Sequence, residues 1–594
     1  MISAYIQYPK RRKVVKLLKQ KIKSASDEQE RRLARYSLYQ YLIDEYRHGR
    51  LLLKEQRNLL LPSLDILMPI GAHQRLHDEL AKLKHLENES HYQVLMTMDM
   101  VNHYDFAGMK VWLTRMAEQS ERLTDDEQMQ TCINLMHVAY NQKWRNEMEA
   151  YVPQMEQLVY DKHLMAHEAL DDLMQIYEWR NNEKGIEKLI NLIKGHKEKN
   201  WKHFLEQHDV IYRHYQRTEQ LDKRREMVKE LGERAKTFGL TEEQRRFFEI
   251  KYLRLLFDSQ ISAWEEYSIK LYNNRERYLK FSAKMAFEFI QEYLFVYQGG
   301  IDIYNRVLKE EIALAVEKDI AKVMPDYVKE TDEGVAKMPS DFLYERCYAL
   351  QQHMELARLM EVEDRKNIAK WKEKRCEAQR QKIRVCKEAG NMREYLHWLL
   401  CYADDLMAQD SVIDNLGIVT ESELKESLMA QRPVYRRELE NLTEELDGIV
   451  KRLNYNPSVA YYMIHLANIH HYLGHGDKAH DMLALYDRTG DDPQVYAVTV
   501  RRIYRRLEMI YQTRELTADE KLEERTRYLS ELNSRREIKE ALIIVDSQMK
   551  EMPIDGETLP EGLHIETLME FILPFSDILS ILYFHESGQF HMLL

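Results

Sequence analysis

The stretch between Pro153 and Pro325 holds no proline for 171 residues, and polar interruptions divide it at nearly equal intervals. Proline removes a backbone donor and clashes with the preceding helical turn. A long segment without it is therefore open to helix. Within it, Leu164-Met165-x-x-x-Ala169-Leu170-x-x-Leu173-Met174-x-Ile176-Tyr177 sets apolar residues at i, i+3, i+4 and i+7, the buried stripe of an amphipathic helix. Turn centres are read at Tyr104-Asp105, Asn141, Asn181-Asn182, Thr218, Asp258-Ser259 and Gly299-Gly300. Positions 104, 141, 181, 218, 258 and 299 are 37, 40, 37, 40 and 41 residues apart. Later turns at Gly390, Gly474-His475-Gly476 and Thr513 continue the pattern less tidily. A period near 40 is the length of a helical hairpin with its turns, and a hairpin leaves an apolar face that only its neighbours can cover. The expected fold is all-α, a right-handed superhelical α-solenoid of about 10–13 helical hairpins.

Composition agrees. The 594 residues include only 19 Gly and 12 Pro. That is too few for an all-β chain, which turns every 8–12 residues or so, and it excludes collagen-like and Pro-rich disordered classes. With 44% hydrophobic and 31% charged residues the chain can bury a core and keep a charged surface. The formal charge of −12 argues against bulk binding to nucleic acid. Cys132, Cys347, Cys376, Cys386 and Cys401 are odd in number and irregular in spacing, which suggests buried reduced thiols rather than disulfides or zinc. The N-terminus lacks the order of a secretory signal. The best apolar run, Phe571 to Phe584, contains Pro574 and Asp577 and is shorter than a membrane span. A cytoplasmic protein with no transmembrane segment is expected.

Five regions follow. Residues 1–89 form an N-terminal helical segment with a basic amphipathic helix, and 90–323 the regular hairpin array. Residues 324–340, with Pro325 and Pro339, read as a loop or boundary. Residues 341–551 form a second array, interrupted by a polar connection from Asp410 to Glu421. Residues 552–594 are apolar and read as a cap on the exposed end of the array.

Inside the second array, Leu466-Ala467-Asn468-Ile469-His470-His471-Tyr472-Leu473-Gly474-His475-Gly476-Asp477-Lys478-Ala479 resembles a tetratricopeptide (TPR) repeat, which would span 457–491. Ala467 and Ala479 match the small residues at the crossing of the two helices, and Leu473-Gly474 matches the pair that ends the first. His470, Leu483 and Pro493 depart from the family pattern. Val385-Cys386-Lys387-Glu388-Ala389-Gly390-Asn391 is a weaker echo. The resemblance implies a TPR-like scaffold or adaptor that binds a protein or peptide segment, acidic ones included, in its concave surface. Residues 23–46, from Lys23 to Tyr46, are similar to the opening helices of TPR-containing sensor-regulators of Bacteroidetes-type bacteria. That likeness implies, as an alternative, a signalling or transcription regulator; in that group a membrane helix and a DNA-binding tail follow, and neither is found in this sequence.

The chemistry-bearing motifs are sparse. No G-x-x-x-x-G-K-[ST], G-x-G-x-x-G, G-x-S-x-G or H-E-x-x-H occurs. No enzymatic activity, cofactor or metal is expected. His465, His470, His471, His475 and His480 fall within 16 residues, but Gly474 and Gly476 end the helix between them. His208-Asp209 and His480-Asp481 resemble the paired His-Asp of metal-dependent phosphohydrolases, the second alternative. Arg501, Arg502, Arg505 and Arg506 share one helix face, and arginine forks suit carboxylate or phosphate. The expected binding groove is Tyr462, Asn468, Arg501 and Arg505. Eight basic residues between Lys10 and Lys23 could meet nucleic acid or an acidic membrane surface, though a polar outer face of a terminal helix is the simpler reading.

Overall fold

The computed structural model describes residues 2–534 apart from 26–27, 119–122, 142–144, 199, 281–284, 287, 290–291, 293–305, 416–421, 454–458, 490–497 and 512–516, and beyond these residue 544. Among the described residues there is no strand; the fold is all-α and repeat-like. Its longer helices are α1 (Ile2–Ser24), α2 (Glu28–Arg47), α3 (His73–Lys82), α4 (Ser90–Asn102), α5 (Phe106–Glu118), α6 (Asp125–Asn141), α7 (Arg145–Tyr160), α8 (His167–Trp179), α9 (Glu183–Gly195), α10 (Trp201–Arg217), α11 (Leu221–Ala235), α12 (Glu242–Asp258) and α13 (Ala263–Asn273). They continue as α14 (Arg306–Ala336), α15 (Leu343–Glu363), α16 (Ile368–Ala389), α17 (Met392–Asn415), α18 (Ser422–Arg452), α19 (Ala460–Tyr472), α20 (Gly476–Arg488), α21 (Val498–Tyr511) and α22 (Ala518–Ser534). None of the described helices is long and apolar enough to cross a membrane.

The turns fall where the period put them. Asn181, Glu219 and Gln260 each take a left-handed conformation, with φ of 49°, 56° and 52°, two residues past a helix end. That is the usual way to release the last carbonyls of a helix and reverse the chain. Thr241 opens α12 with a reciprocal cap. Its hydroxyl accepts from Gln244 N, and the Gln244 side chain accepts from Thr241 N. Side-chain bonds between successive hairpins keep the same spacing. Asn134 donates to Thr97 at a separation of 37, His214 bonds Glu178 at 36, Lys194 donates to Glu230 at 36, and Lys251 to Glu292 at 41. Behind these polar ties, Met155, Leu170, Leu173, Leu189, Val210 and Met227 belong to one apolar core that runs through consecutive hairpins.

The chain forms two compact units, 1–398 and 399–594. The division therefore does not fall at 324–340. That segment, expected as a loop or boundary, is mostly helix: α14 runs through Pro325 to Ala336. Met324, Tyr327 and Val328 are buried in a core shared with Leu253, Leu271 and Phe289, and this packing outweighs the lost hydrogen bond. Proline also lies inside α1, α7 and α18, at Pro9, Pro153 and Pro433. The expected polar connection from Asp410 to Glu421 begins as helix, because α17 continues to Asn415. Residues 416–421, the turns at Gly299-Gly300 and Thr513, and the expected cap at 552–594 lie outside the described residues.

Within the first unit the chain returns on its own beginning. Leu343 N and Tyr344 N both donate to Ile70 O, at 2.9 and 3.2 Å. Asp341 accepts from Tyr36 (2.6 Å) and from Arg75, and Arg32 pairs with Glu345. Phe342 is buried in the N-terminal core, edge-on to Tyr36. Gly390, at φ +73°, lies against the α3 backbone, where a Cβ would stand 2.9 Å from Gln74 N.

Candidate functional sites

The expected groove lies in the second unit, on α19 to α22. The hairpin α19–α20 forms, with Gly474 at φ +80° in its turn and with Ala467 and Ala479 fully buried. Helix α21 turns Val500, Leu507 and Met509 inward. Arg501, Arg502 and Arg505 are half-buried along it, and Arg506 is buried. The four expected contact residues do not play equal parts. Tyr462 is buried, edge-on to Tyr461. The Asn468 side-chain oxygen accepts from Arg506 Nη2 at 2.5 Å. Arg505 lies 5.9 Å from the centre of the Tyr528 ring, a cation–π distance. Arg501, Arg502 and Arg505 thus share the half-buried part of this helix, while Tyr462 and Asn468 are engaged within the unit.

The histidines that crowd this part of the sequence find separate partners, although the His470 and His475 rings stand 5.9 Å apart. His470 Nε2 bonds Asp447 (2.9 Å), and His471 Nδ1 bonds the Tyr511 hydroxyl (2.6 Å). His480 is exposed beside Asp481. His465 is buried, and neither of its ring nitrogens meets a hydrogen-bond partner among the described residues. Burial pushes its pKa down from 6.5 to about 4. The other His-Asp pair is divided as well. His208 is buried and bonds Phe204 O, whereas Asp209 pairs with Arg213.

A different group does converge, in the first unit, and sequence reading missed it. Helices α3 and α4 form an antiparallel pair. Tyr92 bonds Leu80 O, Asp99 bonds His77, and Asn102 bonds His73, so contacts run in opposite directions along the two helices. His77 Nδ1 lies 2.8 Å from Asp99 Oδ2. His103, one turn beyond Asp99, places its Nδ1 2.9 Å from Asp99 O and 3.5 Å from Asp99 Oδ1. The two imidazoles are 5.1 Å apart between centroids. Asp99 is 2% exposed, and its Oδ1 accepts no hydrogen bond among the described residues. Burial pushes this carboxyl above its ordinary range, against the His77 bond, which lowers it. Next to this cluster, His73 is buried. Its Nδ1 faces Asn102 (3.0 Å), and its Nε2 faces the Tyr344 hydroxyl (2.8 Å) and Asn391 (3.3 Å). Burial first, and then the neighbouring His103 charge, push His73 down to about 4. The signal was present as two i, i+4 pairs, His73/His77 and Asp99/His103, on successive helices.

The basic N-terminal helix is divided in role. Arg11 is fully buried, with Nε and Nη2 donating to the two oxygens of Glu55 at 2.9 and 2.6 Å and Glu45 also within ion-pair range. Lys10, Arg12, Lys13, Lys16, Lys19, Lys21 and Lys23 are exposed, as is Leu17.

No protein-family model matches this chain, and no curated protein matches it.

Proposed function

We propose that the protein is a non-enzymatic helical-repeat scaffold of TPR-like type whose second unit holds an acidic protein or peptide segment. One observation carries the reading: Arg501 and Arg505 sit half-buried on one helix, spaced by a single turn. A guanidinium partly withdrawn from water binds carboxylate more strongly than one fully hydrated, and its planar fork suits two-point contact. A repeat array is preformed, so a bound segment alone bears the ordering cost. The test is binding of the purified full chain to an array of acidic peptides. Wild type is expected to retain a subset of them. Arg501→Ala/Arg505→Ala is expected to lose that subset by tenfold or more, while Arg12→Ala/Lys16→Ala keeps it. Equal retention by wild type and the α21 variant would sink the proposal, as would no retention by wild type.

The exposed cationic face of α1 supports a second reading, a regulator that touches nucleic acid or an acidic membrane through Lys10 to Lys23. Binding of that kind would weaken steeply with salt and be lost in the Arg12→Ala/Lys16→Ala variant.

A further inference from the structure

We propose that His77, Asp99 and His103 form a binding site for a divalent transition-metal ion with the ligand preferences of zinc. One ligand atom from each of the three residues lies within 4.8 Å of the other two. A four-coordinate ion with bonds of about 2.0–2.1 Å sets its ligand atoms roughly 3.3 Å apart. Asp99 Oδ2 lies 2.8 Å from His77 Nδ1 and Asp99 Oδ1 3.5 Å from His103 Nδ1, one distance on each side of that value, so the carboxylate reaches both imidazoles through its two oxygens. A small rotation of two side chains, with His103 Nδ1 giving up its bond and its proton at Asp99 O, would bring the three donors onto one ion.

The backbone already holds the ligands in place. Asp99 and His103 are separated by one turn at the end of α4, and His77 faces them across the antiparallel pair. Leu80, Tyr92 and Leu95 bury the interface just below. Asp99 supplies a second, independent observation. It is a carboxylate withdrawn from water with one oxygen that accepts no hydrogen bond, and that oxygen faces His103. Burying such a group without full compensation is costly, and a divalent cation would compensate it. Two imidazoles with one carboxylate favour a borderline ion over Mg²⁺ or Ca²⁺, which take oxygen ligands. His77 is half exposed and His103 partly so, which leaves the outer side open to water as the remaining ligand.

The experiment uses the tag-free full chain, stripped with a chelator and titrated with Zn²⁺, with bound metal measured after gel filtration. Wild type is expected to retain one equivalent, undisplaced by a hundredfold excess of Mg²⁺, and to give a Co²⁺ absorption spectrum in the visible. His77→Ala and His103→Ala should each weaken zinc binding by roughly 100-fold or more and abolish the cobalt spectrum. His471→Ala and His480→Ala in the second unit should leave both unchanged. His77 is half exposed, so its variant is expected to fold, with circular dichroism as the check. Absence of zinc uptake by wild type would overturn the proposal. Uptake that persists in His77→Ala and His103→Ala, or that is lost instead in His471→Ala or His480→Ala, would also overturn it.

Discussion

His73 in the first unit and His465 in the second are 2% and 5% exposed, and burial pushes both from 6.5 to about 4. Their surroundings differ completely. His73 is a joint: its ring bonds residues from α4, from α15 and from the turn before α17. His465 has its ring 4.7 Å from that of Tyr461 and no hydrogen bond at either nitrogen among the described residues. Equal burial and equal loss of basicity therefore do not imply an equal role. What separates them is whether neighbouring elements supply polar atoms at matching positions.

The largest effect should come from acid, because it acts on both. A histidine held neutral near 4 when folded, but titrating at 6.5 when unfolded, contributes stability that is complete above pH 6.5 and is lost as pH falls toward 4. Each such shift corresponds to about 3 kcal/mol. Unfolding midpoints in urea should fall steadily from pH 7 to 4.5, and a flat profile would refute the buried neutral histidines. Next is His73→Leu, which strands the Tyr344 hydroxyl and the Asn391 and Asn102 amides and should cost about 2–3 kcal/mol. Thermal unfolding checks it, and a change no larger than for a surface substitution would deny His73 its linking role. A third comparison sets the two left-handed glycines against each other. Gly474→Ala meets open space and should cost about 1 kcal/mol, the strain of a positive φ alone. Gly390→Ala also presses on the α3 backbone and should cost about twice that. Equal melting temperatures would mean the approach of Gly390 to Gln74 is not tight. The smallest effect is expected for His465→Leu, within about 1 kcal/mol at pH 7, since no partner is lost. This variant should nonetheless flatten the acid profile, and a strong destabilisation at neutral pH would reveal a bond that His465 needs.

The period of the array was legible because its cause is local. Asn181, Glu219 and Gln260 reverse the chain with residues close in sequence, and the helical stripes between them follow from 3.6-residue geometry. Pro325 misled for the same reason: proline predicts a local break, and the packing of Met324 and Tyr327 that retains the helix comes from residues far away. The candidate sites divide along the same line. The arginines of α21 could be placed on one face from their spacing, whereas the use of Asn468 by Arg506, at a separation of 38, could not. Five histidines within one short stretch were not expected to form a ligand set, because Gly474 and Gly476 end the helix between them, and His470 and His471 bond Asp447 and Tyr511 instead. His77 and His103 stand in separate helices and meet because an antiparallel pair fixes their register.

The return of residues 341–345 to the Ile70 carbonyl has a consequence during synthesis. The N-terminal block is completed by a segment about 270 residues downstream, which a ribosome reaches only after tens of seconds. For that interval the receiving surface around Tyr36, Arg32 and Arg75 stands without its cover. Its polar contacts are hydroxyl, guanidinium and carbonyl groups, and Phe342 and Met338 are apolar side chains delivered to its core. A docking face with so polar a rim offers other nascent chains less to hold than an unbroken apolar seam would.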